Sequence, residues 1–147
     1  MNSIFQKQQR FVGALEKTLM AELERTINEF GFVLKDFVTN KQLFREGIDG
    51  DGEKLEGYKR TTIRIKLRKG DPVDRTTLRD EGDFHNSITI DAFPERFEVS
   101  SNVTHDKYII ERYGSSVLKI TNENFREFME NYFIQNLKKQ INGRFAK

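Results

Sequence analysis

The apolar periodicity of residues 4–30 constrains this chain more than any other feature of its sequence. Large apolar residues recur at intervals of three, four or seven residues and fall within one broad face of a helix, made by Ile4, Phe11, Leu15, Leu19, Leu23, Ile27 and Phe30. Polar residues fall on the opposite side, and Glu22 lies at the edge of the apolar face. The pattern predicts a long amphipathic helix with a break or bend at Gly31. A helical continuation is expected over residues 32–44.

Beyond this helix the sequence alternates between charged loops and short regular elements. Residues 45–58 and 70–83 are rich in glycine and acidic residues, which predicts two long loops. Residues 87–101 hold two alternating runs around Pro94-Glu95 and predict an antiparallel hairpin. Each strand then has one inward side, formed by Ile88, Ile90 and Ala92 in the first strand and by Phe97, Val99 and Ser101 in the second.

The C-terminal third of the sequence predicts two helices. Residues 104–113 suit a short helix that begins at Thr104 and ends at Gly114. A last helix is capped by Thr121 or Asn122 and runs to about Ile141, with Gly143 after its end. Its apolar residues are more numerous than one packing stripe needs, so one side could face a neighbouring chain as well as this one: Phe125, Phe128, Met129, Tyr132, Phe133, Leu137 and Ile141.

These elements define an α+β fold, with a long N-terminal helix, a small antiparallel sheet and a C-terminal helix packed on it. The 147 residues suit a single domain. Hydrophobic residues make up 36% of the chain and charged residues 33%, so the core is thin for the surface that it must cover. A polar chain with 13 Phe can complete such a core at a subunit interface.

Charge and cysteine content narrow the class of protein. Twenty-five basic and 23 acidic residues nearly balance, whereas dedicated nucleic-acid binders usually carry a strong basic excess. The absence of cysteine removes disulfides and cysteine-ligated zinc, which fits folding in a reducing cytoplasm. The polar N-terminal segment lacks the apolar core of a signal peptide, and no stretch reaches the roughly 18 apolar residues of a membrane span. We therefore expect a soluble protein with no membrane partner.

The sequence offers no set of residues that reads as a catalytic centre. An EF-hand loop starting at Asp49 would need glycine and glutamate where Lys54 and Arg60 stand, so a solvated turn is the better interpretation. A second group combines His85 with carboxylates in one loop, but without a signature spacing: Asp71, Asp74, Asp80 and Asp83. His105, at a helix start, suits a surface or capping role. We expect no enzymatic activity, metal or cofactor.

One electrostatic feature of the sequence suggests a binding surface. It is a run of six basic residues within residues 59–69: Lys59, Arg60, Arg64, Lys66, Arg68 and Lys69. Its apolar residues alternate as in a strand but are also spaced as in a helix, so both structures remain open. The run could contact phosphates. It could equally meet the acidic loops on either side, or an acidic surface of a partner. In a homo-oligomer we favour contact with the acidic loop of the next chain, formed by Asp71, Asp74, Asp80 and Asp83.

Three stretches of the sequence together resemble a known family. The segment Leu55–Tyr58, followed by Thr61, Thr62, Lys66 and Gly70, is similar to one in phage morphogenesis proteins. Residues 77–88 resemble the family's signature before a hairpin, although Glu81 stands where threonine usually precedes the glycine. Tyr113-Gly114 and the last helix resemble its closing segment. The signature positions are structural: Leu78, Gly82, Phe84, Ser87 and Ile88.

The family is the tail-completion and head–tail connector group of tailed bacteriophages, which includes the virion morphogenesis proteins of Mu-like phages. The resemblance implies a structural protein that forms a ring in the neck of the virion, after assembly in the host cytoplasm. Its partners would be further copies, the portal-side connector, tail proteins and DNA in the central channel. It further implies that Gly82 supplies a turn and that Phe84 and Ile88 enter the core. The alternative from the residues alone is a small nucleic-acid-binding module that uses residues 59–69.

Overall fold

A computed structural model describes residues 4–102 and 106–145 of the chain. Helix α1 has two parts, an α-helix over Ile4–Asp36 and wider, π-helical turns over Phe37–Glu46 that continue it without interruption. Its axis bends at Phe30, where φ is −117° and ψ is 16°, directly before Gly31. Gly47, at φ 64°, ends the helix in a left-handed conformation that favours glycine. The predicted long helix and bend are confirmed, but the first loop begins two residues later than expected.

The predicted hairpin is confirmed and packs against α1. Strands β1 (Thr89–Phe93) and β2 (Arg96–Ser100) pair antiparallel, with Ile90 opposite Val99 and Ala92 opposite Phe97. These four side chains face the same way because directly paired residues of an antiparallel ladder share a face. The bend of α1 lies beside β1, since a Cβ atom built on Gly31 would be in ordinary van der Waals contact with the Cβ of Ile90, at 3.7 Å.

The C-terminal helix begins at the predicted cap but ends later than predicted. Its parts are α5 (Asn122–Phe128), a π-helical turn (Met129–Phe133) and α6 (Ile134–Phe145). The backbone N–H of Asn124 donates to the Thr121 hydroxyl at 3.2 Å, so Thr121 is the cap. The prediction that Gly143 follows the helix is wrong, because it lies within α6. An interior glycine costs a helix only about 1 kcal/mol relative to alanine, which does not force the helix to end.

This helix packs antiparallel to α1. The rings of Tyr132 and Phe30 lie 5.2 Å apart, and eight residues further on the Gln140 amide donates to Glu22 at 2.7 Å. Phe125 stacks on Phe97 of β2 at 5.4 Å, so the helix also contacts the sheet as predicted. After Gln140, α6 continues for five residues, or roughly 8 Å, and reaches about residue 17 of α1. The part of α1 before that point extends past α6.

Two apolar clusters form the core, and Ile120 packs against both of them. One contains Ile27, Val33, Leu34 and Phe128, and the other contains Val38, Leu43, Phe84, Ile88 and Val117. Gln42, in the π-helical part of α1, is fully buried. Its amide donates to the Lys119 carbonyl at 3.0 Å and accepts from the Thr121 N–H at 3.0 Å and the Asn124 side chain at 2.9 Å. These bonds attach the start of α5 to α1.

The remaining elements surround these clusters. They are α2 (Arg60–Lys69), α3 (Asp83–Ser87), α4 (Asp106–Tyr113) and a 3₁₀ turn over Ser115–Leu118. Helix α4 and Gly114 after it lie where a helix was predicted, while its expected start at Thr104 and the surface role of His105 fall outside the described residues. Asp83, which was assigned to the second loop, is the first residue of α3.

The first loop is anchored by Asp49, so its interpretation as a solvated turn is wrong at that residue. One carboxylate oxygen of Asp49 accepts from the N–H groups of Asp51 and Glu53, both at 2.9 Å, and the other accepts from the Ser116 hydroxyl at 2.7 Å. Partial burial raises the pKa of Asp49, but these hydrogen bonds outweigh it and hold the pKa below its usual value. Gly50 packs on the Lys119 backbone so tightly that no Cβ would fit.

Candidate contact surface on helix α2

Residues 59–69, whose structure the periodicity left open, form a helix. Lys59 is extended, α2 starts at Arg60, and Gly70 ends it at φ 75°. The N–H groups of Gly70 and Asp71 donate back to the carbonyls of Leu67 at 3.2 Å and Lys66 at 3.0 Å, which satisfies the last turn. Three basic residues in that turn also suit the negative end of the helix dipole.

The inner side of α2 is fixed by a buried lysine. Lys66 donates to the Arg79 carbonyl at 2.7 Å, lies 3.4 Å from the Asp71 carboxylate, and sits over the ring of Tyr58 at 5.2 Å. Tyr58 in turn bonds Thr77, whose N–H donates to the phenolic oxygen at 2.9 Å. Lys66 is therefore a structural residue that anchors α2 to the second loop, and it is not free for a partner.

The outer side of α2 presents three arginines in a row. Arg60, Arg64 and Arg68 are four residues apart and hence lie on one face of the helix. Within the described ranges, none of them makes a hydrogen bond, an ion pair or a ring contact. Ile65 and Leu67 flank the row and are exposed over more than half of their surface. The outer side of α2 thus combines positive charge with apolar area, and we call it the arginine face: Arg60, Arg64, Ile65, Leu67 and Arg68.

The acidic loop is largely engaged within its own chain. Asp80 accepts from Lys69 at 2.6 Å, an exposed pair whose hydrogen bond raises the pKa of Lys69 and lowers that of Asp80. Asp74 pairs with Arg75 at 2.7 Å, and Asp71 with Lys66. Asp83 makes no ion pair with any side chain of the described segments. Lys66 and Lys69 thus meet the acidic loop of their own chain, which is one of the alternatives that the sequence left open, whereas Lys59 and the three arginines make no such contact within the described residues.

The signature residues form the turn that precedes the hairpin. Gly82 has φ 96°, Phe84 and Ile88 are buried in the core, and the Ser87 hydroxyl donates to the Phe84 carbonyl at 2.7 Å. Leu78 adopts a positive φ of 50°, which is unusual for a leucine. The core positions expected for Phe84 and Ile88, and the turn expected at Gly82, are therefore confirmed. Their presence fits the resemblance and fits an ordinary turn equally well.

His85 belongs to the same turn. In the sequence it stands near the carboxylates of the second loop and was considered together with them. Its Nε2 lies 2.8 Å from the Thr77 carbonyl, and burial lowers the pKa of the imidazole, which favours its neutral form. Over residues 4–102 and 106–145, no three His, Asp or Glu side chains are grouped so that they could hold a metal ion. The histidine thus supports Thr77, and through it the Tyr58–Lys66 contact.

The sequence identified the basic run, but it did not show which of the basic side chains are engaged within the chain and which are exposed on the outer side of α2. Nothing in the alternation of Ile63, Ile65 and Leu67 reveals that Lys66 is buried, because its partners Tyr58 and Arg79 come from other segments. The four-residue spacing of Arg60, Arg64 and Arg68 was the available signal, since it gathers charge on one side only if the segment is helical.

Comparisons with protein-family models, with curated proteins and with solved structures find no match to this chain. Among the helices that the structure describes, none has the length and apolar character to cross a membrane.

Proposed function

We propose that this chain is a non-catalytic structural subunit that forms an oligomeric ring in the neck of a tailed bacteriophage, joins the portal-side connector to the tail and helps to seal the packaged DNA. The observation that carries the proposal is the exposure of large apolar side chains on regular helices at separate places on a small chain. Phe11, Val12 and Leu15 are exposed on α1, and Ile65 and Leu67 on α2. On α1 the three side chains are neighbours at three- and four-residue spacing, and clustered apolar surface of this kind is typical of proteins that bind other proteins.

The resemblance of residues 77–88 to neck proteins supplies the phage context of the proposal. The first test is assembly, by native mass spectrometry and electron microscopy of the purified chain at increasing concentration. Closed rings of one fixed copy number would support a ring subunit. A second observation is the gene neighbourhood, where portal, capsid or tail genes are expected. A chain that stays monomeric and lies among unrelated genes would contradict the proposal.

The proposed lack of catalysis is supported by the distribution of titratable groups. The carboxylates near His85 in the sequence belong to separate contacts, since Asp71, Asp74 and Asp80 each pair with a different cation. Hydrolysis of DNA, RNA and phosphoesters should be assayed with magnesium, manganese or zinc. No turnover above a heat-treated sample is expected. Turnover that disappears in Asp80→Ala or Asp83→Ala would refute this part of the proposal.

A second candidate function, nucleic-acid binding, is favoured by the unpaired arginines on α2. Three cations at four-residue spacing can follow a phosphate backbone, and their contacts would make affinity depend on salt with a slope of roughly −2 to −3 in a log–log plot. The discriminating variant is Arg64→Glu with Arg68→Glu, because both side chains lie outside the fold's own contacts. Loss of DNA binding with intact assembly would favour phosphates as their partners.

Loss of assembly in the same variant would favour a protein partner instead. The compensating change is Asp83→Lys, because Asp80 is already paired with Lys69. Partial recovery of assembly would then support the predicted contact between the basic face of one chain and the acidic loop of the next. Exposed pairs contribute only about 0–1 kcal/mol each, so they would determine register and partner choice more than affinity.

A further inference from the structure

The part of α1 that extends past α6 carries apolar side chains that the described residues do not cover. We call residues 6–15 the arm. Phe11 is 70% exposed, Val12 50% and Leu15 47%, although they continue the same face that is buried further along the helix. The end of a helix that makes no packing contact is held only by its own helix propensity, whereas most helical stability in proteins comes from packing of an amphipathic face. The arm therefore has the character of a segment that packs against another surface.

A groove that could receive an apolar helix lies on the opposite side of α1. It runs between α1 and the turn of the β1–β2 hairpin, has a volume of about 700 Å³, and is lined by Gly13, Glu16, Lys17, Met20, Ala21, Glu24, Pro94 and Glu95. A smaller cavity of about 280 Å³ shares Met20, Glu24, Pro94 and Glu95 and continues the groove toward Phe97 and Phe125. We call the larger one the hairpin groove.

Arm and groove are complementary in charge. The arm contains Lys7 and Arg10 and no acidic residue, so its formal charge is positive. The groove is lined by three carboxylates, Glu16, Glu24 and Glu95, and one cation, Lys17, so its formal charge is negative. An apolar floor formed by Met20, Ala21 and Pro94 lies between these carboxylates. The arm thus offers an apolar stripe with basic neighbours, and the groove an apolar floor with acidic neighbours.

The two surfaces cannot meet within one chain. Successive residues of a helix are rotated by about 100°, so Phe11 and Leu15 point away from the side that carries Gly13, Met20 and Glu24. Because the arm and the groove of one chain lie on opposite sides of α1, each of them must be occupied by a different neighbouring copy of the chain. Such a contact is head-to-tail, and repetition of it produces a closed ring when the rotation closes and an open filament when it does not.

We propose that the arm of one chain docks in the hairpin groove of a second copy of this chain, with Phe11 and Leu15 on the floor formed by Met20 and Pro94. This inference rests on the proposed function, since it names the surface by which the copies of a ring subunit associate. The arginine face on α2 lies outside this contact and remains available for the acidic loop of a neighbouring copy or for phosphates.

Cysteine cross-linking tests the contact directly, because the natural chain has no cysteine. Leu15→Cys on the arm is mixed with Ala21→Cys in the groove and oxidised mildly. A heterodimer should form roughly tenfold or more faster than with Ser115→Cys, an exposed control position elsewhere, because docking raises the effective concentration of the two thiols. The chain with both Leu15→Cys and Ala21→Cys should give a ladder of oligomers, as only a head-to-tail contact propagates.

A single substitution tests the energetic role of the arm. Phe11→Ala should raise the dissociation constant of self-association by about tenfold or more, measured by analytical ultracentrifugation. Phe32→Ala is the matched control, since Phe32 is 69% exposed on the same helix but lies outside the arm. Circular dichroism should be the same for both variants because neither ring is part of the core.

The outcomes separate the inference from the proposed function. Rings that persist in Phe11→Ala, or a cross-link that joins only Leu15→Cys to Leu15→Cys, would overturn the arm–groove contact and leave the ring subunit intact. A natural chain that is monomeric at every concentration would overturn both. A heterodimer above the control level, together with weaker association of Phe11→Ala alone, would support the contact.

Discussion

The arm and the second half of α1 have the same amphipathic pattern but opposite surroundings. Beyond Glu22 the apolar face is covered by the hairpin and the C-terminal helix, and Ile27, Leu34 and Val38 are almost completely buried. Before about residue 17, where α6 ends, the face is open, and Phe11 and Leu15 are exposed. Periodicity therefore indicates which side of a helix requires a partner, but it does not indicate whether the partner belongs to the same chain.

Glu22 stands at the border between the two halves. Its carboxylate accepts from Arg25 and from Gln140, both at 2.7 Å, although the residue lies on the apolar side of the helix. A buried carboxylate is retained only when it has hydrogen-bond partners, and Gln140 supplies one from the other helix. Glu22, which interrupts the apolar face, therefore lies close to the point where α6 ceases to cover α1.

The largest expected effect compares the same residue type in the two halves of α1. Leu34→Ala should reduce the free energy of unfolding by about 2–5 kcal/mol, because the side chain is fully buried and its removal leaves a cavity. Leu15→Ala, in the arm, should change it by less than about 0.5 kcal/mol in dilute solution. Urea denaturation of both variants measures the difference. Equal losses would mean that the arm is covered within its own chain.

The sequence was informative wherever local chemistry decides the structure. The helical spacing of α1, the Thr121 cap and the alternation around Pro94 are local signals, and the structure confirms each of them. The helical state of residues 59–69 was undecidable from periodicity, because Lys66 is held by residues outside the segment, namely Tyr58, Asp71 and Arg79. The helix end at Gly143 was wrong because a glycine only weakens a helix.

The sequence predicted which basic residues form the candidate site, but it did not predict which of them are engaged within the chain. The sequence located six basic residues, yet only tertiary contacts reveal that Lys66 and Lys69 are engaged internally while Arg60, Arg64 and Arg68 are not. The burial of Gln42 was equally invisible, since a lone glutamine in a helix is usually exposed. Phe11 and Leu15 are exposed because α6 is too short to cover them, and the apolar pattern of α1 does not indicate how far α6 extends.

A second prediction concerns the polar contact that attaches α5 to the covered half of α1. Gln42→Leu should lower the free energy of unfolding by about 1–3 kcal/mol, because the Lys119 carbonyl and the Asn124 amide lose a buried hydrogen-bond partner. Gln9→Leu replaces an exposed glutamine of the arm and should have little effect. Thermal denaturation compares the two. A neutral Gln42→Leu would show that α5 does not depend on this contact.

A third prediction uses pH to test the loop that follows α1. The pKa of Asp49 is lower in the folded chain than its usual 3.8, so its contribution to stability is present above that pH and is lost as pH falls through the folded value. Asp49→Asn should cost about 1 kcal/mol at pH 7 through weakened hydrogen bonds. The difference from the natural chain should shrink below pH 4. A difference independent of pH would show that the charge is irrelevant.

The smallest expected effect on folding is also the one that separates the two halves of α1 most clearly. Phe11→Ala should leave the unfolding free energy of the dilute chain within about 0.5 kcal/mol of its natural value, because the ring contributes nothing to the core. At high protein concentration the natural chain should melt at a higher temperature, since association stabilises the folded state by mass action, and Phe11→Ala should lose that increment. Phe32→Ala should keep it. Concentration-dependent melting curves of the three proteins are the measurement, and a concentration dependence retained in Phe11→Ala would show that the arm of α1 is open to solvent rather than awaiting a second copy.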